Sequence, residues 1–195
     1  AGMPGVTGHD LIAKLEEQMA VAPIDQFLGE TVEDVIKKDD GTFTIKSAKR
    51  VSRSRAVIIA LGNGAFTPRK LALEGAAEIE GKQLSYFVNH KADYADKRVA
   101  ILGGGDSAID IALMLEPVAK EVHLVHRRDQ FRGLEHTVTQ LKQSSVQLDT
   151  PFLPRALTVE DDETVTLDLK KMRSDDEAQL NVDKIVVNYG FTSNN

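Results

Sequence analysis

Apolar positions along the 195-residue chain fall into three regimes. In the first, "GHDLIAKLEEQMA", Leu11, Ile12, Leu15 and Met19 recur at helical spacing and define one face of an amphipathic helix. Thr7 stands in its N-cap place, with Asp10 three residues on in the capping-box position. The second regime alternates. "TVEDVIKKDDGTFTIKS" predicts two strands joined by a hairpin at Asp40-Gly41, and residues 24–61 as a whole read as β-rich. "RAVIIALG" (55–62) is a solid apolar run closed by a glycine and predicts a buried strand. "NGAFTPRKLALEGAAEIEG", with Pro68 and scattered glycines, predicts an irregular crossover.

From Lys97 onward, short continuous apolar runs alternate with helical faces. "KRVAIL" predicts a buried strand, "GGGDSA" a turn, and Ser107 to Glu116 an apolar-faced helix stopped near Pro117. "EVHLVH" is the next strand, "LEHTVTQLKQ" the next helix and "VQLDT" a third short strand. Such a β-α-β-α-β order implies parallel strands joined by right-handed crossovers. After it, "ALTVEDDETVTLDLKKM" predicts a hairpin around Asp161-Asp162 and "DKIVVNYG" a buried return strand. The tail "FTSNN" follows with no closing helix. The expected class is α/β: a Rossmann-like three-layer domain over 67–195, with a crossover at 67–96, a parallel sheet and an antiparallel β excursion. A separate β-rich part spans 1–66.

Composition narrows the function. The chain is 42% hydrophobic and 28% charged, as in globular proteins with a sizeable core. A net charge of −6 argues against a broad nucleic-acid surface, and seven Phe, three Tyr and no Trp leave little for base stacking. No apolar run approaches the ~18 residues of a membrane span, and no signal-peptide pattern opens the sequence. The absence of cysteine excludes disulfides, thiolate zinc sites and dithiol redox chemistry, and fits the cytoplasm.

The chemistry concentrates in Gly103-Gly104-Gly105-Asp106-Ser107-Ala108, which matches G-x-G-x-x-A. Gly103 permits the tight turn, Gly105 lets the backbone approach a pyrophosphate, and Ala108 lets the helix pack against the strand. Amides at the helix N-terminus then face the phosphates. Asp106 suits the positive end of the helix dipole, a structural role, since its charge would repel a pyrophosphate. Ser107 lacks the second glycine of a nucleophile elbow. An acidic residue about 20 positions after such a turn normally holds the ribose 2′-hydroxyl of NAD. Here that place holds Arg127 and Arg128, with Arg132 close by. Guanidinium forks match the oxygens of a 2′-phosphate, so the arginines select NADP over NAD. Taken alone, they would read as a solvated basic turn.

Other chemistries are not supported. His9, His90, His123, His126 and His136 show no ligand spacing for a metal. Neither Tyr86 nor Tyr94 follows the glycine loop, and Tyr189 has no lysine four residues on, as short-chain dehydrogenases require.

"VAILGGGDSAIDIALMLEPVAKEVHLVHRRDQFR" resembles the NADPH-binding domain of flavoproteins related to thioredoxin reductase. "ALGNGAFTPRKL", "GKQLSYFVNH" and "VVNYGFTS" resemble the thioredoxin-reductase-like ferredoxin–NADP⁺ reductases. Thioredoxin reductases carry a Cys-x-x-Cys pair just before the first strand of this domain. Here "LSYFVNHKADYADKR" has none, which opposes disulfide reduction. The resemblance implies that Arg127, Arg128 and Arg132 hold the 2′-phosphate and that Gly103, Gly104, Gly105, Asp106 and Ser107 line the pyrophosphate. It implies that residues 1–66 are a partial FAD-binding domain, with Val32, Ala60 and Gly62 near FAD in the complete enzyme. The family's FAD motifs, a G-x-G-x-x-G near the N-terminus and a Gly-Asp near the C-terminus, do not occur in these 195 residues, whose one Gly-Asp, Gly105-Asp106, belongs to the glycine turn. The cofactors implied are NADP(H) and, in the complete enzyme only, FAD. The implied partner is ferredoxin or flavodoxin, with a homodimer allowed and neither nucleic acid nor membrane involved. No residue of the chain is assigned as catalytic, because the flavin and nicotinamide carry the chemistry. Two other readings stand beside this one: a family oxidoreductase with another acceptor, and a non-catalytic NADP-binding module.

Overall fold

The computed structural model describes residues 6–61 and 66–193. The chain divides between Leu61 and Gly62 into two compact units.

The first unit opens with α1 (Gly8–Met19), started by the predicted capping box. The Thr7 hydroxyl accepts the Asp10 N–H at 3.2 Å, and the Asp10 carboxylate accepts the Thr7 N–H at 3.2 Å. The apolar face forms but is not covered: Leu11, Ile12, Leu15 and Met19 are all exposed. Three strands follow, β1 (Val32–Lys37), β2 (Phe43–Ser47) and β3 (Val51–Ser54), paired antiparallel in chain order. The hairpin between β1 and β2 turns at Asp40-Gly41 as predicted. Gly41 sits at φ +80°, where a Cβ would be strained, and the Asp40 carboxylate accepts the Thr42 N–H at 3.0 Å.

The predicted buried strand at 55–62 is not formed. Residues 55–61 are irregular, with Ile58 92% and Ile59 79% exposed. A strand needs a neighbour to take its N–H and C=O groups, and no described segment pairs with this run. Hydrophobicity alone did not make it a strand. Gly62 lies outside the described residues.

The second unit contains, in chain order, β4 (Phe66–Pro68), β5 (Leu84–Ser85), β6 (Arg98–Leu102), α2 (Asp106–Leu115), β7 (Glu121–Val125), α3 (Glu135–Gln143) and β8 (Gln147–Asp149). Then come β9 (Phe152–Val159), β10 (Val165–Lys171), β11 (Glu177–Val182), β12 (Lys184–Val187) and β13 (Phe191–Ser193). Five of these strands make one sheet in the order β5-β12-β6-β7-β8, and every pairing in it is parallel. The β-α-β-α-β reading from Lys97 is therefore realised. β9, β10 and β11 form a separate antiparallel sheet, the expected excursion.

Two cores make this a three-layer unit. On one face of the parallel sheet, Val99, Ile101, Leu124 and Val186 pack with Ile109, Ala112 and Leu115 of α2 and Leu141 of α3. On the other, Leu84, Ala100, Leu102, Ile185 and Val187 pack with Val165, Leu167 and Leu169 of β10. Strands buried on both faces read as unbroken apolar runs, which is why β6 and β12, and β7 apart from His123, are legible in the sequence. The strand starts are clamped as well. Asp183 accepts the Arg98 backbone N–H at 2.7 Å and two guanidinium bonds at 2.9 and 3.2 Å. The tail differs from expectation, since Phe191–Ser193 is itself a strand, antiparallel to β4.

Candidate nucleotide site

The parallel sheet sets the location of the site. β6 lies at its centre, with β7 and β8 on one side and β12 and β5 on the other. At such a reversal of strand order, loops leaving the carboxyl ends of neighbouring strands diverge and open a crevice. A cleft of about 790 Å³ lies there, lined by the loops after β6, β7 and β12.

Its floor is the glycine loop. A Cβ placed on Gly103 would stand 2.6 Å from the Asn188 carbonyl oxygen and 3.0 Å from Ala108 Cβ. A Cβ on Gly104 would stand 2.3 Å from His126 Nδ1. These two glycines are therefore required by close approach. Gly105, the N-cap of α2, has only the Arg132 carbonyl at 3.8 Å, which leaves open space beside it. The first turn of α2 carries N–H groups without intrahelical partners, the feature that holds phosphate in this motif. Ser107 is exposed there. The Asp106 carboxylate is engaged: it accepts the Leu134 N–H at 2.8 Å, anchoring the loop that carries Arg132.

The arginines form the wall. Arg127 and Arg128 come after β7 with His126 between, and Arg132 is tied to the floor by its N–H, which donates to the Gly104 carbonyl at 2.7 Å. All three are exposed, line the cleft, and make no ion pair with a carboxylate among the described residues. Although the Asp106 carboxylate lines the same cleft, three guanidiniums without ion pairs among the described residues make this wall, in a chain of net −6, a local reversal of sign. It is the environment a phosphate dianion requires.

Among the further residues lining the cleft, His126, Asn188 and Tyr189 bear on its chemistry. His126 stacks on Phe131, with ring centroids 5.5 Å apart. Burial and the neighbouring charges of Arg127, Arg128 and Arg132 hold its imidazole below the ordinary histidine range. The Tyr189 hydroxyl is pushed up to about 12 by burial. Asn188 follows β12, and its backbone N–H donates to the Leu102 carbonyl at 2.8 Å. Among the described residues, three buried side-chain polar atoms have no partner, and two of them, His126 Nε2 and Asn188 Nδ2, belong to this cleft. Buried polar groups are normally satisfied, so unpaired atoms at a glycine floor fit a polar ligand. The only advance signal for these residues was position, just beyond the ends of apolar runs.

Val32 begins β1 and Ala60 lies in the irregular run; both are exposed and belong to the first unit. Among the described residues, no group of three His, Asp or Glu side chains is placed to hold a metal. No described helix is long and apolar enough to cross a membrane.

Residues 6–194 match the family model for pyridine nucleotide-disulphide oxidoreductases. The chain belongs to that family. Similar proteins include the ferredoxin–NADP reductase of Limosilactobacillus fermentum, 65% identical over 195 residues, which are 100% of this chain and 59% of that protein. Ferredoxin–NADP reductase 2 of Latilactobacillus sakei is 51% identical over 193 residues, 99% of this chain and 58% of that one. The chain thus spans a little under three-fifths of the length of these curated relatives. Among solved structures, thioredoxin reductase of Lactococcus lactis superposes with a TM-score of 0.81 at 22% identity, covering 97% of this chain and 63% of that one. The T. acidophilum enzyme gives the same score and identity over 97% and 61%. At this identity the likeness establishes the fold, a thioredoxin-reductase-like Rossmann arrangement.

Proposed function

We propose that this chain is the NADP(H)-binding portion of an FAD-dependent ferredoxin– or flavodoxin–NADP⁺ reductase. The observation that carries the reading is the set of Arg127, Arg128 and Arg132 around a glycine floor. Their guanidiniums hold the 2′-phosphate, and Gly103 to Ser107 line the pyrophosphate. Asp106 contributes its main chain while its carboxylate keeps Leu134 in place.

On this reading residues 67–195 are the NADPH-binding domain and residues 1–66, with Val32, Ala60 and Gly62, are part of the FAD-binding domain. NADP(H) held by these residues would supply hydride chemistry to the flavin of the complete enzyme, for which ferredoxin or flavodoxin would be the electron acceptor. This chain's residues bind and orient; none exchanges a proton with the reacting atoms. The absence of cysteine favours a protein acceptor of electrons over a disulfide. The relatives' names point the same way, and a homodimer in the cytoplasm completes the proposal.

Calorimetric titration of the 195-residue chain with NADP⁺ and NAD⁺ tests it. Charge-assisted bonds contribute about 1.5–3 kcal/mol each before screening. Two exposed ones, discounted for solvent, still give about a 100-fold preference for NADP⁺. Equal affinity for the two nucleotides would remove the reading.

A further inference from the structure

The strand order assigns each end of a bound dinucleotide. With the 2′-phosphate at the end of β7 and the pyrophosphate over the β6–α2 turn, the other half of the molecule continues across β6, away from β7. It therefore lies over the carboxyl end of β12, the next strand in the sheet. The residue there is Asn188. Its main chain is fixed by the bond to Leu102, and its carbonyl abuts the Gly103 floor. Its side-chain Nδ2 is buried with no partner, although the residue lines the cleft.

An unpaired buried amide is costly to leave unsatisfied, and rotation about its Cβ–Cγ bond brings the amide N–H groups round to a ligand without moving the strand. We propose that Asn188 is a positioning residue for the nicotinamide half, donating to an oxygen of the nicotinamide carboxamide or its ribose. Tyr189, next along and packed against the core that includes Val187, forms the wall behind it. Burial keeps its hydroxyl protonated although the charge of Arg127 reaches it, and Arg69, whose N–H donates to the Gly190 carbonyl at 3.0 Å, lines this end of the cleft. On this reading Arg127, Arg128 and Arg132 choose the nucleotide, and Asn188 orients its reacting ring. This inference rests on the NADP(H) reading given above.

Truncated ligands separate the two. Adenosine 2′,5′-bisphosphate carries the 2′-phosphate and lacks the nicotinamide half. Asn188→Asp, isosteric with the native residue, and Asn188→Val, which removes donor and acceptor together, are titrated with NADP⁺, NAD⁺ and the bisphosphate. The expected result is a five- to tenfold loss for both dinucleotides in Asn188→Val, the effect of one lost hydrogen bond. A loss at least as large is expected in Asn188→Asp, with bisphosphate affinity and melting temperature unchanged. Unaltered NADP⁺ affinity, or an equal loss for the bisphosphate, would overturn the assignment while leaving the arginine site standing. Failure of the unsubstituted chain to bind NADP⁺ would overturn both.

Discussion

The imidazole of His126 occupies the space a side chain on Gly104 would need: a Cβ there falls 2.3 Å from Nδ1 and 2.4 Å from Cγ and Cε1. The ring cannot retreat freely, because Phe131 stacks on it. Wall and floor of the cleft are therefore built against each other. Gly104→Ala is expected to lower stability by about 1–3 kcal/mol, as overpacking of a filled site does. For a chain of this size each kcal/mol shifts the melting temperature by about 2–4 °C. NADP⁺ affinity falls with it. A melting temperature equal to that of the parent would show that the ring swings away without cost.

The second prediction concerns the arginines separately. Arg127 and Arg128 contribute side chains alone, whereas the backbone of Arg132 is also bonded to the floor. Arg127→Ala should narrow the NADP⁺ over NAD⁺ preference by several-fold while leaving NAD⁺ affinity nearly constant. The preference itself should shrink as salt rises, since exposed charges are screened over about 8–10 Å. Titrations at two ionic strengths read both effects.

A third prediction follows from His123, buried between Asp149 Oδ2 at 2.8 Å and Glu121 Oε1 at 3.2 Å. Burial works against its charge, but the hydrogen bond and charge of Asp149, with those of Glu121, outweigh it and raise its pKa above the ordinary histidine value. A group with a raised folded pKa stabilises fully below its unfolded pKa of about 6.5 and loses that contribution as pH climbs through the folded value. Asp149→Asn should therefore destabilise the chain more at pH 6 than at pH 9. Urea midpoints at the two pH values measure the difference, and an equal loss at both would mean His123 is neutral throughout.

The fourth concerns colour. The two FAD motifs of the family do not occur in these 195 residues, so the purified chain should show no stoichiometric flavin bands and should not consume NADPH. Fused to flanking segments that carry those motifs and supplied with FAD, it should reduce ferricyanide, ferredoxin or flavodoxin, and not thioredoxin. An absorbance spectrum and acceptor-by-acceptor NADPH consumption decide the matter. Robust thioredoxin reduction would sink the acceptor assignment and leave nucleotide binding intact.

Much of this architecture was legible because it is locally encoded. The Thr7–Asp10 box starts α1, Asp40-Gly41 turns a hairpin, and double-sided burial makes β6 and β12 continuous apolar runs and β7 one broken only by His123. What was missed depends on distant partners. β4 and β13 are three residues each and pair Thr67 with Thr192 across the whole second unit. The polar "EAQLNV" of β11 becomes a strand only because β10 offers an edge. The run at 55–61 fails for the opposite reason, having apolar side chains but no pairing with any described segment. In the site, the glycines and arginines announce themselves by spacing. His126 and Asn188 acquire their significance from the tertiary placement of a ring and an amide, which no pattern along the chain records.

β12 completes the parallel sheet from its interior: it enters last and lies between β5 and β6, with nearly a hundred residues separating it from β5. During synthesis, β6, β7 and β8 can assemble on α2 and α3 while β6 still presents an open edge. That edge stays unsatisfied until the ribosome has delivered residues beyond Val187, and β5 has nothing to join until then. Pairing across such a separation is entropically slow. The sheet, and the cleft at its carboxyl edge, are therefore complete only once the chain through β12 is in place.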